Sequence, residues 1–511
     1  MELFNLLNTA DVAIGLFGQT YDVYLNFIGK IIRFLITGVG TVGVGIILFS
    51  LALKLIVMPF DIYQRIAMRK QNRLMKENQA RMEKLQKQYG NDKEKYNQKL
   101  MEMYKENGIN MFSSCLPMIL SMVIFFVAIG AFNAYSQYSN IENYNTMVNA
   151  YNAKMQYYCA DLTEDNLTIN GNVITIKDAG AEKYIYYTVT LGEGQTAGET
   201  KEEQITFVQQ AAHSSKAYKI DVVKAYENAD IKAVVDKAVA DAVEAAKTAA
   251  ENAAEGEEIS AELTLQQKTE IAQNAIKNYF TAQAQGAVLE AYDSEVINHT
   301  KFLWIKNIWV TDASYKHPVL TYSEFKTEVQ REEFEVNGEK VGLTDVTNYT
   351  DAYKEETYNL VTGGLGTHKT EANGWYVLIL LSIATILLQQ WVSNRTQKEQ
   401  QQFSTVDGQA ASQQKTMMVV MTGMFAIFSF MYSSAFSIYM ITSNIFSLVS
   451  MLVINKAVDA SENKKEAQRE QEKYNQRFPG RGKSINAANT KQNDGKKSDK
   501  ADKSDKKNVK K

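Results

Sequence analysis

The apolar stretch ILFSLALKLIVMPFDIYQR, residues 47–65, contains a lysine, Lys54, shortly before Pro59. A charge inside a membrane helix is costly and usually marks a function. Ser50 and Asp61 stand four residues before and seven residues after Lys54, so all three share one helix face. Three interpretations stay open: the ammonium extends to the cytoplasmic interface, it attracts acidic or polar groups of a passing chain, or it pairs with Asp61. Pro59 predicts a kink or an end of the helix.

Hydroxyl and amide side chains follow one face of the other long apolar stretches. In residues 375–393, Ser382, Thr385 and Gln389 recur at helical spacing. Such rows commonly bond one helix to another in membrane bundles. Because four helices carry them and one adds a lysine, we expect a hydrated internal cavity. The candidate lining residues are Ser50, Lys54, Ser121, Ser382, Thr385, Gln389, Thr422, Ser429, Tyr439 and Ser443.

The sequence offers little for catalysis or for holding a metal. The histidines, His213, His299, His317 and His368, are scattered without ligand spacing. The long acidic segment contains no metal-ligand cluster, nucleophile elbow or glycine-rich phosphate loop. We therefore expect no catalytic residues, metal or cofactor. The two cysteines, Cys115 and Cys159, are predicted on opposite sides of a membrane, which excludes a disulfide between them.

The polar faces belong to apolar runs that are long enough to cross a membrane. A crossing needs about 20 apolar residues to match a hydrocarbon core of ~30 Å. The last run, 417–455, is interrupted by MYSSAFS at 431–437, a short polar turn between two helices. We therefore predict five spans, at residues 39–60, 111–134, 375–393, 417–434 and 436–456.

Charge is segregated along the 511 residues, although the net charge is only −3. Residues 61–110 carry a net charge of +5 and residues 455–511 carry +8, whereas residues 135–374 carry −17. Basic residues near span ends stay in the cytoplasm. Five spans with the N-terminus outside and the C-terminus inside satisfy this rule. Residues 394–416 then form a cytoplasmic loop.

Two helical features flank the first span. Residues 20–36, within an external N-terminus of 1–38, alternate polar and apolar faces, which predicts either a helix lying in the membrane interface or a helix packed on the external domain. Residues 61–110 carry two thin apolar stripes around the break YGND. They predict an antiparallel cytoplasmic hairpin or two solvated helices. The stripes include Met75, Met82, Tyr96 and Met103.

The acidic segment 135–374 reads as an external α+β domain. Two Asn-Gly pairs, in NLTINGNVITI and REEFEVNGEKVG, predict β-hairpins. Two Ala-rich stretches, IKAVVDKAVADAVEAAKTAAENAA and LTLQQKTEIAQNAIKNYFTAQ, predict helices. The tail 457–511 is basic and poor in large apolar residues, so we expect it to be disordered. Its basicity suits anionic lipid head groups or RNA, or serves only solubility.

Five sequence blocks together resemble the YidC/Oxa/Alb family of membrane protein insertases. They cover roughly residues 20–134, 301–312 and 375–457 in the order of the family. The blocks are GVGIILFSLALKLIVMPFDIYQRIAMRKQNRLM, LQKQYGNDKEKYNQKLMEMYKENGINMFSSCLPMIL, KFLWIKNIW at 301–309, ILLQQWVS, and SAFSIYMITSNIFSLVSMLVINK.

The resemblance implies an all-α polytopic membrane protein. Its fold has five transmembrane helices, a cytoplasmic helical hairpin and an inserted extracytoplasmic α+β domain. It further implies a non-enzymatic insertase and chaperone of the bacterial plasma membrane, which takes substrate segments into a positively charged groove open to cytoplasm and lipid. Its partners would be nascent membrane proteins, lipids, the Sec translocon and, through the basic tail, the ribosome, with no nucleotide. The hairpin, with Met75, Met82, Tyr96 and Met103, would be the first contact.

The chain departs from the family pattern at some positions. Lys54 stands where the family usually has arginine, which keeps the charge but loses the bidentate fork. Residues 135–300 read as a large insertion. Two other functions compete: a small-solute channel or transporter, for which we see no internal repeat, and a membrane-anchored protein whose external domain binds a partner.

Overall fold

The structure, a computed structural model, describes residues 2–7, 12–15, 18–106, 112–212, 217–252, 260–330, 332–347, 350–396 and 409–477. It divides into two compact units. The first unit comprises Met1–Leu51, Val123–Ile386 and Val420–Thr442. The second unit comprises Ala52–Met122, Leu387–Val419 and Ser443–Lys511.

Helices dominate the described residues. Those before the external sheet are α1 (Glu2–Leu7), α2 (Phe27–Val39), α3 (Val42–Glu77), α4 (Gln79–Tyr89), α5 (Lys93–Glu106) and α6 (Phe112–Tyr157). Those of the segment predicted to be external (135–374, here called the external domain) are α7 (Lys201–Ala211), α8 (Val222–Glu227), α9 (Ala229–Glu251), α10 (Leu265–Ala291), α11 (Ile297–Thr300), α12 (Tyr322–Val329), α13 (Leu343–Val346) and α14 (Glu355–Thr362). The last three are α15 (Val377–Thr396), α16 (Gln409–Met431) and α17 (Ser434–Arg477).

Three helices among the described residues are long and apolar enough to cross a membrane. They are Val42–Ala67, Val377–Arg395 and Ser434–Arg477, and a shorter apolar helix covers Thr422–Met431. Side chains 112–121 lie outside the described residues, so the predicted second span stays a prediction. The break between α16 and α17 falls at residues 432–433, inside the predicted polar turn.

Helix α3 does not end at Pro59 but continues to Glu77. Of the two predicted outcomes at Pro59, a kink or an end of the helix, the end does not occur. Proline removes one backbone hydrogen bond, and helices in apolar surroundings tolerate it because every other backbone group must stay bonded within the helix. Residues 61–77 accordingly extend the first predicted span, and the hairpin begins only after them.

The two-faced helix near the N-terminus begins later than residue 20. Helix α2 starts after Asn26, whose side chain accepts a hydrogen bond from Gly29 N at 2.8 Å. Before it, Tyr24 N donates to Glu333 O at 2.8 Å, so strand-like pairing replaces the predicted first turns. Phe27 and Phe34 are 77% and 73% exposed. This uncovered apolar face fits the interface interpretation.

The two helices of the predicted hairpin pack against each other, and their cytoplasmic location stays a prediction. Helices α4 and α5 enclose a small core of Met82, Met103 and Tyr104. Arg81 pairs with Glu106 at 2.7 Å across the pair. Because most of the remaining surface is polar, this core is what holds the two helices together.

The external domain contains a five-stranded antiparallel sheet in the order β1-β5-β4-β3-β2 and a separate β6-β7 hairpin. The strands are β1 (Val12–Ala13), β2 (Leu167–Asn170), β3 (Val173–Ile176), β4 (Ile185–Thr190), β5 (Tyr218–Ile220), β6 (Glu333–Val336) and β7 (Glu339–Gly342). Both predicted hairpins are confirmed, although the first turns at Gly171 and Asn172, because Asn170 belongs to β2 and pairs with Val173. Asn337 and Gly338 both have positive φ, as a type I′ turn requires.

Two long helices extend well beyond the predicted spans. Helix α6 runs to Tyr157, and its buried residues beyond position 134 belong to the core of the external domain. Helix α17 continues to Arg477, so the expectation of disorder from residue 457 is wrong as far as residue 477. A charged sequence can continue an existing helix without a core of its own, because it avoids the cost of nucleation. Residues 478–511 lie outside the described residues.

Candidate functional site

The long helices bury hydroxyl and amide groups and expose large apolar side chains. Exposed residues include Leu55, Ile56 and Phe60 on α3 and Leu380, Leu387 and Leu388 on α15. Buried polar residues include Ser50, Ser382, Ser429, Ser443 and Asn444. This distribution is the reverse of that on helices in water. It indicates an outer surface suited to lipid and a polar interior.

In the first unit, the structure brings two of the predicted lining residues together. Ser382 and Ser429 share a hydrogen bond between their hydroxyl oxygens at 3.0 Å, joining α15 to α16. Each hydroxyl also lies within hydrogen-bond distance of a carbonyl of its own helix, Ser382 of Ile379 O at 2.8 Å and Ser429 of Phe425 O at 3.0 Å, so the hydroxyl that donates to its carbonyl accepts from the other. Here the hydroxyl row serves as a bond between helices, which was the alternative to a hydrated cavity.

The other lining residues of the first unit take different roles. Ser50 is fully buried and donates to Ile46 O at 2.6 Å within α3. Thr385 donates to Ser382 O at 2.8 Å. Thr422 is half-buried. Tyr439 is buried against Phe132, with ring centroids 5.4 Å apart.

The second unit holds the charged part of the predicted site. Lys54 is half-buried and interacts electrostatically with Asp61, which also interacts with Arg65. No direct ion pair joins Lys54 to Asp61 in the described part of the chain, so the pairing interpretation is not supported. Gln389 is half-buried. The buried hydroxyl of Ser443 has no hydrogen-bond partner among the described residues.

The hairpin residues proposed as a first contact are mostly internal. Met82 and Met103 are 2% and 1% exposed, because they form the core between α4 and α5. Tyr96 is half-buried. The side chains of Met75 and Ser121 lie outside the described residues. A partner that uses Met82 or Met103 must therefore open the hairpin.

A buried polar junction that sequence reasoning missed follows the FLWI block in the first unit. Asn307 N donates to Asn373 Oδ1 at 2.7 Å, and Asn373 Nδ2 donates back to Asn307 O at 2.9 Å. The Asp312 carboxylate accepts hydrogen bonds from the backbone N–H groups of Trp375 (2.6 Å), Tyr376 (3.1 Å) and Leu378 (2.6 Å). Asp312 thus satisfies the free N–H groups at the start of α15.

The same segment holds the turn between α16 and α17. Ser434 donates to Val310 O from its backbone N at 3.0 Å and from its hydroxyl at 2.7 Å. Thr311 Oγ1 donates to Tyr432 O at 2.9 Å. Ser136 on α6 donates to Trp309 O at 2.8 Å. Residues 309–312 therefore hold the start of α15, the end of α16 and the start of α17 by hydrogen bonds, and they also bind the middle of α6 through Ser136.

The FLWI block was the only sequence signal that pointed to this junction. It marked the segment, but nothing local showed that Asp312 caps a helix whose first residue is Val377. Capping is normally recognised from a residue immediately before the helix. A cap supplied from a distant loop leaves no spacing pattern to find.

One carboxyl group of the external domain has a strongly shifted pKa. Burial raises the pKa of Glu328 to about 7, although Asn140 Nδ2 donates to the carboxylate at 2.5 Å and opposes the rise. A carboxyl whose pKa is higher in the folded protein stabilises the fold less as pH rises from the unfolded pKa to the folded one. Above about pH 7 the Glu328 carboxyl is ionised, and its buried charge then lowers the free energy of unfolding by the full amount.

Replacing Glu328 with glutamine is therefore expected to stabilise the protein at alkaline pH. The neutral amide keeps an acceptor for Asn140 and removes the buried charge. We expect a gain of roughly 1–2 kcal/mol at pH 8, and little change at pH 5, after allowance for solvent screening. Thermal unfolding of the detergent-solubilised chain measures this, with Glu335→Gln on the exposed face of β6 as the control. Equal shifts at both pH values would contradict it.

Comparison with known proteins identifies the family. A family model described as "60Kd inner membrane protein" matches residues 34–198 and 279–463, which is more than half of the chain. The chain belongs to this family. Membership in the 60Kd inner membrane protein family, together with the apolar helices, makes it a helical multi-pass protein of the bacterial cell membrane. The predicted resemblance is confirmed.

Several similar proteins are called membrane protein insertase YidC. One from Caldanaerobacter subterraneus subsp. tengcongensis is 36% identical over 113 residues, covering 22% of this chain and 53% of the relative. One from Clostridium perfringens is 33% identical over 126 residues, covering 25% and 50%. One from Clostridium tetani is 41% identical over 91 residues, covering 18% and 40%. The chain thus spans about half the length of the first of these relatives. No solved structure matches it.

The family match falls in two parts, residues 34–198 and 279–463, so residues 199–278 lie between them. The predicted insertion of 135–300 stays a prediction. The junction of Asn307 and Asp312 lies inside the part that matches the 60Kd inner membrane protein family.

Proposed function

We propose that the chain is a membrane protein insertase and chaperone without enzymatic activity. It takes substrate segments onto the polar interior faces of its helices and releases them sideways into lipid. The observation that carries this proposal is the reversed polarity of the long helices, with exposed Leu, Ile and Phe and buried hydroxyls. Family membership and the names of the similar proteins support it.

The proposal includes a groove whose positive charge is Lys54. A polar tail that crosses the bilayer must be desolvated, and a partly hydrated polar surface lowers that cost. Ser443, with its buried hydroxyl unpaired among the described residues, supports a place for water on this surface.

We further propose the finer topology and partners. The chain crosses the membrane five times, with its N-terminus outside and its C-terminus inside, as the segregated charges support. It works alone or beside the Sec translocon. The basic tail would bind the ribosome through residues 478–511, which carry a net charge of +7, because a cationic segment attracts RNA phosphates.

Insertion by purified protein tests the function. The full chain is reconstituted in proteoliposomes with a single-span substrate that carries a short acidic outer tail, and the protease-protected fragment is measured. We expect protection well above that in empty liposomes, with no increased leakage of a trapped small solute. Solute flux without insertion would instead support a channel or transporter, and insertion equal to that in empty liposomes would refute the proposal.

A further inference from the structure

A cleft of about 500 Å³ lies in the first unit, where the external domain meets the ends of membrane helices. Its walls come from residues 133–137 of α6, the loop 309–320, α12, and residues 430–433 at the end of α16. This volume is typical of sites that bind a small molecule, which range from ~300 to 1,000 Å³. Neither the insertase proposal nor family membership assigns a role to this cleft.

The cleft wall carries residue types that are typical of the membrane–water interface. Phe430 and Met431 are the last residues of the apolar helix Thr422–Met431, and they are 45% and 68% exposed. Trp309, Tyr315 and Tyr432 stand beside them in the cleft wall. Tryptophan and tyrosine at a span end are typical of the membrane–water interface, because their rings are apolar and carry one polar group.

The cleft has more negatively charged than positively charged side chains. Lys316 Nζ pairs with Glu324 Oε1 at 2.6 Å. Glu328 accepts the hydrogen bond from Asn140 and has no ion-pair partner among the described residues. The cleft therefore offers one cation and two carboxylates. A ligand that matches it carries a cationic group as well as an anionic one.

Two hydrogen-bond donors of the cleft wall are unused. Trp309 Nε1 and Ser433 Oγ are buried and have no partner in the part of the chain that the structure describes. Buried polar atoms normally have partners, and each exception calls for an explanation. An indole N–H only donates hydrogen bonds, so its natural partner is an acceptor such as a phosphate oxygen.

We propose that this cleft binds the head group of a phospholipid that carries a phosphate and a primary ammonium, as in phosphatidylethanolamine. The phosphate is held by Lys316, Trp309 Nε1 and Ser433 Oγ, and the ammonium by Glu328. The acyl chains leave along Phe430 and Met431. This inference does not depend on the insertase proposal, because it rests on the cleft alone.

The charge pattern separates this lipid from its common alternatives. A phosphatidylglycerol head group brings no cation for the two carboxylates. A choline head group is cationic but has no N–H with which to bond Glu328. A lysine side chain of a translocated polypeptide offers the ammonium but no phosphate for Lys316 and the unused donors. Only a zwitterionic head group with a phosphate and a primary ammonium pairs with Lys316, with Glu328 and with the two unused donors.

The ammonium site predicts a pH dependence. The groups that face Glu328 are Glu324 on its own helix, Lys316 on the preceding loop and Tyr358 on α14. Burial raises the pKa of Glu328 to about 7. A protonated carboxyl no longer attracts an ammonium ion, so lipid retention should be weaker at pH 6 than at pH 8.

Native mass spectrometry of the full chain tests the proposal. The protein is released from micelles that hold equal amounts of phosphatidylethanolamine, phosphatidylcholine and phosphatidylglycerol with identical acyl chains. We expect one retained phosphatidylethanolamine, at least about five-fold above either competitor at pH 8 and reduced at pH 6. Glu328→Gln should lower its retention about five-fold. Glu332→Gln, which removes a neighbouring carboxyl outside the cleft wall, should leave it unchanged.

Equal retention of the three lipids would overturn the proposal, as would unaltered retention in Glu328→Gln. A lysine-containing peptide is added as a competitor at a concentration equal to or lower than that of the lipid. If it displaced the lipid while its norleucine analogue did not, the cleft would be a polypeptide site and the proposal would be overturned. Loss of lipid in Glu328→Gln can be distinguished from misfolding. This variant is expected to have a higher thermal stability at pH 8, and thermal unfolding of the same preparation measures it.

Discussion

Replacing Asp312 with alanine is expected to lower the stability of the folded protein by roughly 3–4 kcal/mol, since it leaves the N–H groups of Trp375 and Leu378 without their acceptor and Tyr376 N–H with only the backbone oxygen of residue 312. Asp312 is fully buried, so water cannot take its place easily. The change also weakens the segment that binds the turn between α16 and α17. We therefore expect loss of insertion activity together with loss of stability.

Two further variants test whether Asp312 stabilises the protein by capping α15 or only by filling space. Asp312→Asn keeps the volume and one acceptor oxygen, but its amide nitrogen would face a backbone N–H, so we expect about half of the loss. Gly374→Ala should destabilise as well, because a Cβ at this position would overlap the Asp312 carboxylate. Asp345→Ala, at an exposed position of the short helix α13 in the same domain, is the control. Thermal unfolding in detergent measures all four, and an alanine variant as stable as the parent would contradict the capping role.

The second large effect concerns Lys54. Replacing it with alanine is expected to reduce insertion of a substrate with an acidic outer tail roughly ten-fold. A charge pair in a partly buried site contributes at least about 1.4 kcal/mol, which corresponds to a factor of ten. Lys54→Arg should retain most of the activity, since it keeps the charge. A substrate with a neutral tail should be affected much less.

The matched control is Lys84→Ala, which removes a positive charge from the exposed face of α4. Insertion is measured as the protease-protected fraction in proteoliposomes, and protein amount and thermal stability are compared in parallel. If Lys54→Ala inserted the acidic-tail substrate as well as the parent, Lys54 would merely extend to the interface. Family membership would be unaffected by that result.

Local patterns predicted those parts of the fold that depend on near neighbours. The two Asn-Gly hairpins, the Ala-rich α9 and α10, and the hairpin of α4 and α5 are encoded by turn residues and helical periodicity within short stretches. The break between α16 and α17 was equally local. Each of these elements appears in the structure close to its predicted position.

Predictions failed where tertiary contacts decide the outcome. Residues 20–26 have a helical pattern, but the backbone of Tyr24 bonds to Glu333, which lies far away in the chain. Met82 and Met103 were correctly placed on stripes, yet the sequence could not show that the stripes face each other and bury both residues. The Asp312 cap crosses more than sixty residues, beyond the reach of any spacing rule.

The candidate site shows the same division. Sequence reasoning found the polar faces, because hydroxyl spacing is visible along a helix. It could not decide which hydroxyls bond to one another, and Ser382 with Ser429 turned out to be such a pair. The combination of Lys316, Glu328 and Trp309 in one cleft depends entirely on the packing of the external domain.

Site-specific photo-crosslinking during insertion tests the central claim most directly. A photoreactive residue is placed at Thr422, which is half-buried on the polar face of α16, or at Val420 on the same helix, which is 64% exposed. With a single-span substrate arrested during insertion, we predict crosslinks to the substrate from position 422 and to lipid from position 420. Substrate crosslinks from position 420 alone, or none from position 422 while insertion proceeds, would contradict the proposed groove.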